Sequence, residues 1–120
     1  MNIAYRNLES IEELEQVVDL EVIVWELPQR DATPSGLLHA MVANGSLVTG
    51  AFDNDTLIGM AFMFPSARHS HKMLWSHMAA VHPNYQGQGV GFGLKQHQRN
   101  WALDNGYHTI AWTFDPLQRG

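Results

Sequence analysis

Residues 82–93, HPNYQGQGVGFG, have the composition of a segment that holds an anion with its peptide nitrogens. Glycine occupies alternate positions from 87 to 93, behind a proline and a glutamine. Such a run costs conformational entropy on folding, so a compact domain keeps it where the backbone needs a positive φ or a very near neighbour. Where a strand leads through this run into a helix, successive N–H groups and the helix dipole meet at one point, which suits a pyrophosphate.

Two other phosphate-binding patterns do not fit this segment. A P-loop requires a lysine followed by serine or threonine, and neither Lys72 nor Lys95 has such a neighbour. The dinucleotide fingerprint requires glycine at position 92 or 94, where the chain has Phe92 and Leu94. The sequence therefore favours neither hydrolysis of a nucleoside triphosphate nor binding of a dinucleotide.

The histidines raise the question of a metal site. His69 and His71 are two residues apart, and His77 follows on the next predicted strand. The HSHK segment is polar, carries a lysine and has no carboxylate beside it. We expect no metal.

Composition and charge narrow the class of protein. A chain of 120 residues with 45% apolar residues is expected to form one globular domain, residues 1–120. The absence of cysteine excludes disulfides and thiolate chemistry. A formal charge of −5 disfavours a nucleic-acid partner. Because the chain has neither a secretory start nor an apolar run of about 18 residues, we expect a cytoplasmic protein with no membrane partner.

Hydrophobic periodicity and the residues that begin and end helices predict the elements that position the glycine run. Ser10 and Glu13 form a capping box before a helix that ends at Pro28, and Thr33–Pro34 is expected to cap a second helix. A third helix follows the glycines and stops at Asn105–Gly106. Strands are predicted at 3–7, 46–52, 56–64, 73–81 and 108–114, with a three-residue hairpin connection at Asp53–Asp55. The fold class is α/β (α+β): one mixed sheet in the order β-α-α-β-β-β-α-β, with the last strand parallel to the strand before the third helix.

The glycine segment resembles the acyl-CoA loop of the GNAT superfamily of N-acetyltransferases. The match consists of Gln86, Gly87, Gln88, Gly89, Val90 and Gly91, and it extends over AAVHPNYQGQGVG from Ala79. The resemblance implies acetyl-CoA as co-substrate, an amine as acceptor, and direct attack of the amine within a ternary complex. A GNAT domain normally continues with another helix and two strands, so we expect either a fragment or a layer completed by another molecule.

The resemblance also implies roles for particular residues. The main chain of Ala79 and Val81 would run beside the pantetheine, the Ala79 N–H would face the oxyanion, and the amides of residues 86–91 would hold the diphosphate. His77 is the candidate general base, because HMAAVH resembles the HALAVH strand of arylalkylamine N-acetyltransferases; we place its side chain on the same face as those of Ala79 and Val81. Its alternative is a histidine packed in the sheet. Glu26 is a second candidate base.

Four other side chains have both a functional and a structural interpretation. Trp25 and Trp75 either wall an acceptor pocket or fill the core. Lys95 and Arg99 either reach the phosphates of CoA or form an exposed basic face.

Two hypotheses concern the whole chain. The apolar strand HTIAWTF would leave an uncovered edge, so we expect a homo-oligomer that pairs through it. A non-catalytic CoA-binding or oligomerisation module of the same fold is the alternative to an enzyme.

Overall fold

The computed structural model describes residues 2–66, 73–107 and 109–112. Within them the elements follow the predicted order, with these bounds: β1 Ile3–Asn7, α1 Ile11–Trp25, α2 Ser35–Ala43, β2 Leu47–Asp53, β3 Thr56–Ser66, β4 Met73–Val81, α3 Val90–Asp104 and β5 Thr109–Trp112. Short 3-10 turns cover Gln29–Asp31 and Pro83–Tyr85. His69, His71 and the predicted strand residues at 108, 113 and 114 lie outside the described residues.

The strands form one mixed sheet in the order β1-β2-β3-β4-β5. Neighbours from β1 to β4 are antiparallel, and β5 runs parallel to β4 with Met73 opposite Thr109 and Ser76 opposite Trp112. The parallel pair follows from α3, which returns the chain to the end of the sheet where β4 began. The predicted mixed sheet is confirmed.

Local contacts explain where α1 and α2 begin. The Ser10 hydroxyl accepts from the Glu13 amide at 3.2 Å and donates to the Glu13 carboxylate at 3.1 Å, which confirms the capping box. The expected Thr33 cap of α2 is wrong, because Pro34 occupies the cap position. The Thr33 hydroxyl instead donates to the Glu21 carboxylate at 3.1 Å.

The hairpin between β2 and β3 is tighter than expected. Asp53 pairs with Thr56, so the connection has two residues, Asn54 and Asp55, and not three. Asn54 takes a φ of 55°, the left-handed conformation that asparagine tolerates in such turns. Strand β3 also continues past Pro65 to Ser66.

Helices cover both faces of the sheet. Alternation along β3 places Met60 and Phe62 against α1 and α2, and Ala61 and Met63 against α3. Leu14 of α1, Leu38 of α2 and Leu94 of α3 are completely buried, and burial of one leucine stabilises a fold by about 1.5–3 kcal/mol. No helix in the described ranges is long and apolar enough to cross a membrane.

Candidate functional site

The glycine segment lies between the end of β4 and the start of α3, as its spacing indicates. Gly89 is the N-cap of α3 with a φ of 83°, and Gly87 has a φ of 78°. Both values lie in the left-handed region, where glycine alone is free of strain. Gly91 is already helical, so its backbone makes no such demand.

Open space surrounds three of these glycines. A Cβ added at Gly87, Gly89 or Gly91 would meet no described atom within 4 Å. The Gly93 amide donates to the Gly89 carbonyl at 3.0 Å and starts the hydrogen-bond ladder of α3. The amides of the first turn, from Val90 to Phe92, therefore precede the ladder and face the helix N-terminus, where the dipole favours an anion.

Neighbouring side chains hold this loop in place. The Gln86 amide group donates to the Val81 carbonyl at 3.1 Å, and that of Gln88 donates to the Asn84 carbonyl at 3.3 Å. The Tyr85 hydroxyl donates to Asp53 at 2.5 Å, and this bond raises the pKa of Tyr85. Both glutamine side chains thus donate hydrogen bonds to nearby main-chain carbonyls. The groups of this segment that are left for a ligand are those of its main chain.

Beside the loop, β4 has an edge with no partner strand among the described residues, called the open edge below. Pairing with β5 reaches Ser76, so within the described residues the stretch from His77 to Val81 is paired on the β3 side alone. The His82 amide donates to the Ile58 carbonyl of β3 at 2.8 Å. Because amides alternate in direction along a strand, those of Ala79 and Val81 point away from β3 toward the open edge.

His77 lies on a β-bulge. Phe62 pairs with Met78 and Met63 with Ser76, so His77 is an extra residue in β4. Its ring contacts Phe62 edge-on and Phe64 at a tilt, with centroid distances of 5.9 Å and 5.8 Å. These rings belong to the sheet face covered by α1 and α2. Our expectation that His77 shares a face with Ala79 and Val81 is therefore wrong, because the bulge interrupts strict alternation.

Glu21 is a buried carboxylate near His77 that the sequence analysis did not single out. It lies on the buried side of α1, two per cent exposed, and accepts the Thr33 hydroxyl at 3.1 Å. Burial raises the pKa of the Glu21 carboxyl, and the Thr33 hydrogen bonds and the nearby His77 act in the opposite direction. The available signal was a carboxylate at helical spacing from Leu14, Val17 and Val18, on the apolar stripe.

The other candidate side chains lie at the C-terminal end of α1, on β4 and on α3. Glu26 is the exposed C-cap of α1 in the left-handed conformation, next to Trp25, which is 38% exposed. Trp75 is half-buried opposite Phe64. Lys95 and Arg99 are exposed on α3. No group of three or more potential metal ligands occurs within the described parts of the chain.

A mixed sheet whose fourth strand leads through a glycine loop into a helix is the architecture of an acetyltransferase domain. The model of the acetyltransferase (GNAT) family matches residues 8–119, and the chain belongs to this family.

Solved structures of acetyltransferases share the fold. An aminoglycoside acetyltransferase from an uncultured soil metagenomic sample, in complex with sisomicin, superposes with a TM-score of 0.84 at 18% identity, over 96% of this chain and 79% of that one. The PaiA N-acetyltransferase of Thermoplasma acidophilum, in complex with coenzyme A, has a TM-score of 0.83 at 18% identity, over 98% of this chain and 82% of that one. The ribosomal-protein-alanine N-acetyltransferase of Brucella melitensis biovar Abortus 2308 has a TM-score of 0.74 at 12% identity, over 97% of this chain and 82% of that one. No curated protein matches this chain in sequence.

Proposed function

We propose that this protein transfers an acetyl group from acetyl-CoA to a primary amine by direct attack within a ternary complex. Family membership supports acyl transfer in general. The observation that carries the specific proposal is the N-terminus of α3, where three glycines leave a space that a Cβ would fill. This site needs no basic side chain to hold a diphosphate, which agrees with the acidic balance of the chain.

The residues present fit coenzyme A in two places. We assign the diphosphate to the main-chain amides of residues 86–91, namely Gln86, Gly87, Gln88, Gly89, Val90 and Gly91. We assign the pantetheine to the open edge of β4, where the amides of Ala79 and Val81 are directed outward. An extended ligand would add to this edge as a further strand does.

Two groups then act on the reaction. Acetyl-CoA, when bound, supplies an activated thioester. The Ala79 N–H donates to the carbonyl oxygen as negative charge develops there, and loss of one such donor costs about 3–4 kcal/mol in well-studied enzymes. His77 removes the proton of the acceptor ammonium, a role worth about 10²–10⁴-fold in rate. Glu26, at the exposed end of α1, is the second candidate for this proton.

A charge at Gly91 tests the coenzyme site. Gly91 and Gly36 are both the second residue of a helix, and neither has a described neighbour within 4 Å of an added Cβ. At either position an acidic side chain would interact favourably with the helix dipole, so Gly36→Glu is a matched control. We expect Gly91→Glu to weaken CoA binding by about 100-fold or more, because like charges in contact cost several kcal/mol, and Gly36→Glu to leave it unchanged.

Calorimetric titration with CoA measures both affinities, and equal affinity of Gly91→Glu and the unmodified chain would refute the site. An assay of thiol release over a panel of primary amines then tests transfer. Binding without release would favour the non-catalytic module. The homo-oligomer through the last strand stays a prediction, because residues 113–120 lie outside the described part of the chain.

A further inference from the structure

Tyr85 joins the glycine loop to a distant strand. The side-chain hydrogen bonds of Gln86 and Gln88 reach five and four positions along the chain, so they tie the loop to itself and to the end of β4. The Tyr85 hydroxyl instead donates to the carboxylate of Asp53, 32 positions earlier, at 2.5 Å. Among the described residues, this is the one hydrogen bond that joins residues 83–91 to a strand other than β4.

Both partners of this hydrogen bond are held in place by other contacts. Asp53 is the last residue of β2, and it pairs with Ile3 of β1 and with Thr56 of β3. The half-buried ring of Tyr85 packs against the apolar cluster under α3 that includes Val90. The hydrogen bond therefore connects the loop to a strand whose position is set by a neighbour on each side.

A loop that binds with its main chain gains from such a restraint. Gly87 and Gly89 have positive φ, and neither has a described neighbour within 4 Å of an added Cβ. Glycine gives a backbone access to many conformations, and ordering a loop during binding costs free energy that is lost from the affinity. A contact that fixes Tyr85, immediately before the loop, lowers this cost in advance.

We propose that Tyr85 is a positioning residue for coenzyme A, which rests on the function proposed above. Its hydrogen bond to Asp53 fixes the start of the loop, so that the main-chain amides of residues 86–91 are oriented before the diphosphate binds. Tyr85 touches no reacting atom in this proposal and acts through the loop. Asp53 contributes as a hydrogen-bond acceptor, although its negative charge by itself disfavours an anion nearby.

Removal of the hydroxyl alone tests the restraint. Tyr85→Phe keeps the ring and is expected to weaken CoA binding by about 5–10-fold in calorimetric titration, part of the effect of a hydrogen bond to a charged group. Tyr5→Phe is the matched control, because Tyr5 packs on the same cluster and its hydroxyl has no hydrogen-bond partner among the described residues. This control is expected to keep the affinity. Equal affinity of Tyr85→Phe and the unmodified chain would overturn the proposal.

The sign of the effect at Asp53 separates a restraint from simple electrostatics. If charge alone matters, removing a carboxylate from a chain of net charge −5 strengthens the binding of an anion. The restraint predicts the opposite: Asp53→Ala weakens CoA binding about as much as Tyr85→Phe, and the double variant binds no more weakly than either. Asp53→Asn, whose amide oxygen still accepts, is expected to recover most of the affinity.

Asp55→Ala is the control for charge at the same hairpin. It removes one carboxylate from an exposed residue two positions after Asp53, and it is expected to bind CoA at least as tightly as the unmodified chain. Tighter binding by Asp53→Ala, in line with this control, would show that Asp53 acts through its charge and would overturn the proposal.

Backbone dynamics give a readout that needs no ligand. In amide nitrogen relaxation of the unliganded protein, the order parameters of Gly87 and Gly89 are expected to lie near the value of rigid backbone, about 0.85. In Tyr85→Phe they are expected to fall toward the range of flexible loops, below about 0.6, and in Tyr5→Phe to stay high. A merely structural role of Tyr85 would lower overall stability without this local change, so unchanged order parameters in Tyr85→Phe would overturn the proposal.

Failure of this proposal and failure of the proposed function give different results. If the unmodified chain binds no CoA, the coenzyme site is refuted and the positioning role is refuted with it. If the unmodified chain binds CoA and Tyr85→Phe binds it equally well, the coenzyme site stands and only the role of Tyr85 is refuted.

Discussion

Gly89 and Gly91 are two residues apart in the loop, and the backbone uses them differently. Gly89 has a φ of 83°, a backbone conformation that is strained for a residue with a side chain, whereas Gly91 has the ordinary helical conformation. Neither has a described neighbour that a Cβ would contact. A substitution at Gly89 therefore combines an effect on folding with any effect on a ligand, and a substitution at Gly91 separates them.

We expect Gly89→Ala to lower the free energy of unfolding by about 1–2 kcal/mol, because alanine in the left-handed region costs that much. Gly91→Ala is expected to raise it by up to about 1 kcal/mol, since alanine is the better helix former. Urea unfolding of both variants measures the difference. Equal stabilities would show that the positive φ at Gly89 is not required.

Helix α3 approaches the sheet closely enough that its fourth residue has no room for a side chain. A Cβ added at Gly93 would overlap the phenol ring and hydroxyl of Tyr5 on β1. On the same helix, Val90 and Leu94 are buried against Ala51, Ile58 and Ala61. The glycine run thus contains two kinds of position: some face open space at the helix N-terminus, and Gly93 sets the distance between α3 and β1.

Gly93→Ala is expected to destabilise the protein by about 1–3 kcal/mol, the usual cost of overpacking. Gly91→Ala, half a turn earlier, serves as the control because it meets no neighbour. Shortening the opposing side chain in Tyr5→Leu/Gly93→Ala is expected to recover part of the loss, measured by a double-mutant cycle in urea. Additive effects of the two changes would contradict the contact.

At the scale of the whole molecule, a half-buried histidine, His97, links α3 to the first two strands. The His97 Nε2 lies 2.8 Å from Asn7 Oδ1, which also accepts the Thr49 hydroxyl at 3.4 Å. Because Oδ1 can only accept, Nε2 donates to it. Burial lowers the pKa of His97 in the folded state below 6.5. The His97 imidazole is therefore harder to protonate in the folded chain than in the unfolded chain.

The sign of the pH effect follows from this shift. The contribution of His97 to stability is fully present above pH 6.5 and is lost as pH falls toward the folded pKa. We expect the free energy of unfolding to decline between pH 7 and 5, and His97→Gln to make this decline shallower. His39→Gln, at an exposed histidine of α2, is the control. Urea unfolding at several pH values measures this decline. If the free energy of unfolding falls equally with pH in all three proteins, His97 is not the cause.

The sequence by itself determined the order of the elements, the capping box of α1 and the glycine loop before α3. These features depend on residues a few positions apart, through helical spacing, side-chain caps and the φ that glycine permits. The proposal that the main-chain amides of residues 86–91 bind an anion follows from the same local pattern. The position of the loop between β4 and α3 agrees with it.

Tertiary structure decided the surroundings of the other candidate side chains. The bulge that turns His77 toward α1 exists only in the register of β4 against β3, and the partner of Thr33 is a carboxylate 12 residues away on another element. Glu21 lies on the apolar stripe of α1, but its burial depends on the elements that pack over that side of the helix. Burial, strand register and hydrogen bonds between distant elements are set by which surfaces meet, and a local residue pattern does not contain that information.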